Sequence, residues 1–263
     1  MNKLPTTFAA RGQMDKMKQF IKNFATRSAS EVSSTTNVMQ WIDGSFDIEA
    51  VPDTAINELR ELAEVAEDKN KIALIDLFRL MILKENQAEL ILNNHWELIE
   101  VCVIGYLLAQ DMQDTEARVM QNYHQMALKM LANVFSTSAG RIVMHNEEKA
   151  MALIQFCNQS MQSCNPRVTI HAALVLFNFL LVMENDSKMP YNEELKTSVR
   201  TIDGILKQSS DKDLIVTTLL TLCRLLFKNH DITSFVEGEQ GQSFKETTDG
   251  LRERSANLAP EVK

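Results

Sequence analysis

Four related heptapeptides decide the fold of this chain: LIDLFRL (residues 74–80), LKMLANV (128–134), ALVLFNF (173–179) and LLTLCRL (219–225). Each is rich in apolar residues, and each carries a polar residue in its sixth place. Their starts lie 54, 45 and 46 residues apart. Recurrence at such a period is typical of stacked helical repeats, in which equivalent positions of successive repeats line up on one surface. The heptapeptides therefore predict a helical solenoid.

The sixth places predict a ladder of four polar side chains, Arg79, Asn133, Asn178 and Arg224, along one face. Asn offers a donor and an acceptor, so spaced Asn side chains can hold the main chain of an extended peptide. Arg can pair with carboxylates in a bidentate way. Two structural explanations stay open beside this one. Arg79 lies three residues after Asp76, which allows an ion pair within one helix, and a buried Asn can simply satisfy a nearby backbone group.

The composition of the 263 residues supports an all-α fold, and the length fits one large domain or two small ones. Only 8 Gly and 5 Pro are present, too few for a turn-rich β-fold. The formal net charge is −8, and residues 43–68 hold nine acids against one base. This balance argues against nucleic-acid binding, which needs a basic field. The first 28 residues hold six bases and one acid, so a locally basic groove is compatible with the acidic total.

Apolar residues at spacings of three and four predict a helix in each of nine segments: 14–24, 54–67, 71–84, 95–110, 115–135, 147–161, 168–184, 193–207 and 214–228. The Ser/Thr-rich stretch 28–36 is predicted to be a linker or loop. Asn165 before Pro166, and Asp211 after two serines, are predicted to mark helix starts. Residues 241–263 are polar and are expected to form a weakly ordered tail.

No sequence motif for catalysis, a metal or a cofactor is present in the chain. The four cysteines, Cys102, Cys157, Cys164 and Cys223, form no CxxC pair, and we expect reduced core thiols. The acidic run lacks the spacing of a calcium loop and is expected to be a solvated face. No apolar stretch is long enough for a membrane span. We therefore expect a non-enzymatic protein without metal or cofactor.

Three stretches of the chain together resemble the PUL domain, the C-terminal helical domain of the ubiquitin-pathway protein phospholipase-activating protein and its yeast counterparts. They are LPTTFAARGQMDKMKQFIKNF (4–24), KMLANVFSTSAGRIVMHNEEKAM (129–151) and RVTIHAALVLFNFLLVME (167–184). The resemblance covers about residues 4–240. It implies a single domain over residues 1–263, folded as an armadillo-like superhelix of about six repeats. It also implies a basic concave groove that binds the acidic C-terminal tail of an AAA segregase, valosin-containing protein, in ubiquitin-dependent turnover in the cytoplasm and/or nucleus.

The resemblance also implies roles for individual residues. Arg79 would pair with a tail carboxylate, Lys129 would add positive field, and Asn133 and Asn178 would hold the peptide main chain. The family has a second groove Arg on its last long helix. An ungapped match places Thr218 there, whereas a shifted match on CRLL (223–226) places Arg224 there, and the sequence leaves both open.

Two further hypotheses for the function remain. The chain could be an accessory PUL-like domain of an isopeptidase that acts on ubiquitin-like modifiers, with the catalytic Cys and His outside it. It could also be a general armadillo scaffold for another acidic peptide. Ubiquitin-system proteins are expected as further partners, and neither nucleic acid nor a membrane is expected.

Overall fold

The computed structural model describes residues 18–19, 21–23, 35–44, 51–65, 68–100, 117–183, 191–227 and 229–258. Within these ranges the regular structure is entirely helical and no strand occurs. The prediction of an all-α helical-repeat fold is therefore confirmed. The chain divides into two compact units, Met1–Lys149 and Ala150–Lys263. The prediction of a single domain over residues 1–263 stays a prediction.

The first unit is built around two helices that carry the first two heptapeptides. Its helices are α1 (Thr36–Gly44), α2 (Asp53–Val65), α3 (Asp68–Met81), α4 (Glu85–Glu89), a π-helical turn (Leu90–Asn94), α5 (Trp96–Ile99), α6 (Ala117–Val134) and α7 (Ser138–Val143). The most extensive packing in this unit joins α3 to α6. Phe78 and Leu131 have no exposed surface in this core. Consecutive heptapeptides therefore pack on one another, as stacked repeats require.

The second unit repeats this arrangement with the last two heptapeptides. It contains most of α8 (Glu147–Met161), followed by α9 (Pro166–Val182), α10 (Asn192–Gln208), α11 (Lys212–Leu226), α12 (His230–Glu237) and α13 (Gly241–Leu258). The most extensive packing joins α9 to α11, and α10 packs against both α11 and α13. The apolar helix predicted after Pro166 is α9, with Phe179 fully buried.

The predicted helix starts are confirmed at both capping residues. The Asn165 side chain accepts a hydrogen bond from the Arg167 backbone N–H at 3.0 Å. The Asp211 carboxylate accepts one from the Leu214 backbone N–H, also at 3.0 Å. When a residue with a short polar side chain precedes a helix, its side-chain oxygen accepts a hydrogen bond from a backbone N–H of the first turn. That N–H has no partner within the helix.

Residues 241–258 of the segment predicted to be a weakly ordered tail are helical. This segment forms α13, which lies on α10 through polar contacts. The buried Asp203 carboxylate accepts hydrogen bonds from the Ser243 and Thr247 hydroxyls. The Arg254 guanidinium donates to the backbone oxygens of Leu206, Lys207 and Ser209 at the end of α10. Polar composition suggested a solvated tail, but here polar side chains make the helix–helix contact.

The expectation of core thiols holds for Cys157, which has no exposed surface. It was wrong for Cys164 and Cys223, which are free and exposed. Cys164 lies after the end of α8, and Cys223 lies on the outward face of α11. Cys102, residues 101–110 of the expected 95–110 helix, and most of the segments 14–24 and 28–36 lie outside the described residues.

Candidate peptide-binding site

The sixth places of the first two heptapeptides meet in the first unit. Asn133 on α6 donates from its side-chain Nδ2 to the backbone oxygen of Arg79 on α3 at 3.0 Å. That oxygen lies in the last turn of α3, where helix carbonyls lack an internal partner. Leu83, four residues further on, donates instead to Leu80. Asn133 therefore completes the C-terminal turn of α3 and fixes the register of the two helices.

The Arg79 side chain is buried and paired within its own helix. Its Nε donates to Asp76 Oδ1 at 2.7 Å, and its Nη2 lies 2.7 Å from the same oxygen. The two side chains expose only 6% and 10% of their surface. The intrahelical ion pair that the spacing allowed is therefore present. The positive charge of Arg79 is opposed by a carboxylate at close range.

Lys129 lies one helical turn before Asn133 on α6. Its side chain is half-buried, and α6 packs on the helix that carries Arg79. The first unit thus places two basic residues of the predicted groove on neighbouring helices. Asn133, at the contact of these helices, has no exposed surface.

In the second unit, the last two heptapeptides meet through other positions. The Thr221 hydroxyl on α11 donates to the backbone oxygen of Ala173 on α9 at 3.1 Å. Asn178 on α9 has no exposed surface. The two sixth places, Asn178 and Arg224, are therefore on helices that pack together. The four-residue ladder across both units stays a prediction.

The two candidates for the second groove Arg have different environments. Thr218 has no exposed surface, and its hydroxyl donates to the Leu214 and Ile215 backbone oxygens at 2.7 and 3.1 Å. Arg224 is partly exposed, and its guanidinium carbon lies 5.2 Å from the centre of the Phe227 ring. Of the two, Arg224 is the one whose side chain reaches the surface.

Sequence reasoning missed a carboxylate that joins two elements beside this pair of helices. Glu85 on α4 accepts hydrogen bonds from the Ser138 backbone N–H at 2.9 Å, from the Ala139 N–H at 3.2 Å and from the Ser138 hydroxyl. These donors belong to the first turn of α7. The Ser138 hydroxyl and the two N–H groups hold the pKa of Glu85 below its usual range. The contact joins residues 53 apart, so no local pattern could have revealed it.

Gly140, which belongs to the stretch that carries the family resemblance, is required by close packing. A Cβ atom at this position would lie 1.7 Å from the backbone oxygen of Val134. Any side chain would force α6 and α7 apart. The small residue therefore fixes the turn that follows Asn133.

Cys157 is the buried thiol among the described cysteines. Burial raises the pKa of the Cys157 thiol strongly, so this thiol stays protonated and is a poor nucleophile. Within the described ranges, no three His, Cys, Asp or Glu side chains are grouped so that they could hold a metal ion. In the same part of the chain, no helix is both long and apolar enough to cross a membrane.

These features define a class of protein, an all-α helical-repeat protein whose packed helices carry basic and amide side chains. A family model of the PUL domain matches residues 3–255, and the chain belongs to the PUL domain family. The match confirms the resemblance and extends it beyond residue 240. The PUL domain is a protein–protein interaction domain and is not known to be catalytic. A search of the curated proteins found no match to this chain.

Proposed function

We propose that this chain is a non-catalytic adaptor that binds the acidic C-terminal tail of the AAA segregase valosin-containing protein. It would link this segregase to ubiquitin-dependent turnover in the cytoplasm and/or nucleus. The observation that carries the proposal is the PUL family match over residues 3–255. No cofactor or metal takes part in this function.

The geometry of the first unit supports a basic site for the tail. Arg79 and Lys129 lie on helices α3 and α6, which the Asn133 hydrogen bond holds in register. A tail carboxylate placed beside Lys129 gains a charge-assisted contact, which is stronger than a neutral hydrogen bond. In this arrangement Asn133 is a positioning residue for Arg79. Its direct contact with the peptide main chain, and that of Asn178, stay predictions.

Asp76 reduces the electrostatic attraction between Arg79 and an acidic peptide. Arg79 Nε and Nη2 both contact the same oxygen, Asp76 Oδ1. An incoming carboxylate must therefore share the guanidinium with Asp76 or displace it. Recognition of the tail then depends on the total positive field of Arg79 and Lys129, with Arg224 as the partly exposed candidate in the second unit.

The test is a calorimetric titration of the folded protein with a synthetic peptide of the segregase C-terminal tail. Arg79→Ala alone would leave the buried Asp76 carboxylate unpaired and would destabilise the fold. The double variant Asp76→Asn/Arg79→Gln removes both charges and keeps hydrogen-bonding groups in place. We expect this variant to bind at least about tenfold more weakly, since hydrogen bonds to charged groups contribute about 1.5–3 kcal/mol.

Lys129→Ala provides an independent variant with a matched control. We expect it to weaken tail binding, whereas Lys245→Ala, at an exposed position on α13, should leave binding unchanged. Binding should also weaken as salt rises, because the attraction is between charges. No binding by the folded wild type would contradict the proposal. Equal binding of a scrambled peptide of the same composition would favour a general acidic-peptide scaffold instead.

A further inference from the structure

Helix α11 presents an apolar face that the rest of the described chain leaves uncovered. Val216, Leu220 and Phe227 are 56%, 47% and 50% exposed. Cys223, on the same face, is also exposed. Ile142, the other large apolar side chain that stands out as exposed in the described part of the chain, lies in the first unit. Single exposed apolar residues are ordinary, whereas a contiguous line of them marks an interaction surface.

The spacing of these residues is that of a helix–helix seam. Positions 216, 220, 223 and 227 follow one another by four, three and four residues, as core positions do in a coiled coil. They span about 16 Å of helix, or three turns. The opposite face of α11 is buried against α9 and α10 through Leu214, Leu222 and Leu225. The helix therefore has two apolar faces, and its own unit covers one.

The charged side chains at the flanking positions, Arg224 and Lys212, are basic, whereas Asp213, in line with the apolar residues, is acidic. Arg224 follows Cys223 directly and lies over the Phe227 ring. Lys212 is exposed and occupies the other flanking position of the heptad pattern. Asp213, one turn before Val216, ends the apolar line. A partner that fits this surface carries apolar residues at matching spacing and acidic residues at its flanks.

We propose that this face of α11 is a docking site for a three-turn amphipathic helix of a partner protein, with acidic residues flanking its apolar stripe. An amphipathic helix that lays its apolar face on a complementary surface is a common mode of recognition. A second copy of this chain fits less well. Two copies would bring Arg224 and Lys212 of one face against the same basic residues of the other. The proposal needs no residue of the first unit, but it shares Arg224 with the candidate tail site, so tail binding is measured in parallel.

The test uses a designed, fluorescently labelled helical peptide as the probe. The peptide has leucines at heptad core positions and glutamates at the flanking positions. Its binding to the full chain is followed by fluorescence anisotropy, and a second peptide carries lysines in place of the glutamates. The variant Leu220→Asp places a charge in the middle of the exposed line. Ile142→Asp is the matched control, because it makes the same kind of change at an exposed apolar residue elsewhere.

We expect the glutamate peptide to bind at least about tenfold more weakly to Leu220→Asp than to the wild type or Ile142→Asp. The lysine peptide should bind the wild type more weakly than the glutamate peptide does. Equal binding to Leu220→Asp and wild type would overturn the proposal. The proposal would also be overturned if the wild type sedimented as a dimer and Leu220→Asp sedimented as a monomer. A second copy of this chain would then be the occupant. Loss of segregase-tail binding in Leu220→Asp would also overturn it, because this face would then belong to the tail site.

Discussion

Asn133 shows how one buried side chain can maintain the register of two repeats. Its amide satisfies the Arg79 backbone oxygen, which the end of α3 leaves without a helical partner. It also holds in place the residue whose charge the proposed function uses. The sequence predicted that Asn133 and Arg79 occupy equivalent places, and the structure shows that they touch. The sequence left open whether the Asn133 side chain contacts a backbone group or a peptide, and it did not indicate that the backbone group is the Arg79 oxygen.

We expect Asn133→Ala to lower the free energy of unfolding by about 1–3 kcal/mol, the usual cost of leaving a buried polar group unsatisfied. Urea unfolding followed by circular dichroism measures this change. Asn122→Ala makes the same substitution at an exposed position on the same helix and should have little effect. Equal effects of the two substitutions would show that the hydrogen bond to Arg79 does not stabilise the fold.

Glu85 makes the stability of the first unit depend on pH. Its lowered pKa means that the folded state favours the carboxylate more than the unfolded state does. The stabilisation is present above the ordinary pKa of 4.5 and is lost as the pH falls through the lower folded value. We expect Glu85→Gln to cost about 0.5 kcal/mol at pH 7, as is typical of an exposed charge at a helix start.

The measurement is urea unfolding of the wild type and Glu85→Gln at several pH values. Their difference in stability should shrink as the pH falls below about 4.5. Glu89→Gln, an exposed glutamate on the same helix, serves as the control. A difference between wild type and Glu85→Gln that is constant with pH would show that the carboxylate charge is not what binds Ser138.

At the scale of elements, α13 illustrates what local patterns leave out. Its sequence is mostly polar, which suggested a solvated tail. The helix is held because Asp203, Lys207 and the carbonyls at the end of α10 bind side chains 36 to 48 residues further along. By contrast, the starts of α9 and α11 could be predicted, because Asn165 and Asp211 act on backbone groups two or three residues away.

We expect Arg254→Ala to loosen α13 without unfolding the rest of the second unit. The guanidinium satisfies three carbonyls at the end of α10, and its loss leaves them to water. Hydrogen exchange should become faster over residues 241–258. The control is Arg252→Ala, because the Arg252 side chain is 83% exposed. Unchanged exchange in Arg254→Ala would show that other contacts suffice to hold α13.

For the whole molecule, the leucine-rich heptapeptides were enough to predict the all-α repeat fold. Their helices pack in consecutive pairs, α3 on α6 and α9 on α11. The accessible surface was harder to predict, because burial depends on neighbours distant in sequence. Thus Thr218 is enclosed, whereas Arg224 six residues later reaches the surface. For the same reason the exposed line on α11 was not found, since its residues look like core residues in the sequence.

We expect the Arg79 charge to attract an acidic tail and the Asp76 carboxylate to weaken that attraction. The most direct test is calorimetric titration of the wild type and Asp76→Asn with the segregase tail peptide, at low and at physiological salt. Asp76→Asn keeps a hydrogen-bond acceptor for Arg79 and removes the opposing charge. Because the buried Arg79 charge is then unpaired, circular dichroism first verifies that this variant is folded. We expect the wild type to bind, Asp76→Asn to bind several-fold more tightly, and both to weaken as salt rises. Absence of binding by the folded wild type, or equal or weaker binding by Asp76→Asn, would contradict this expectation.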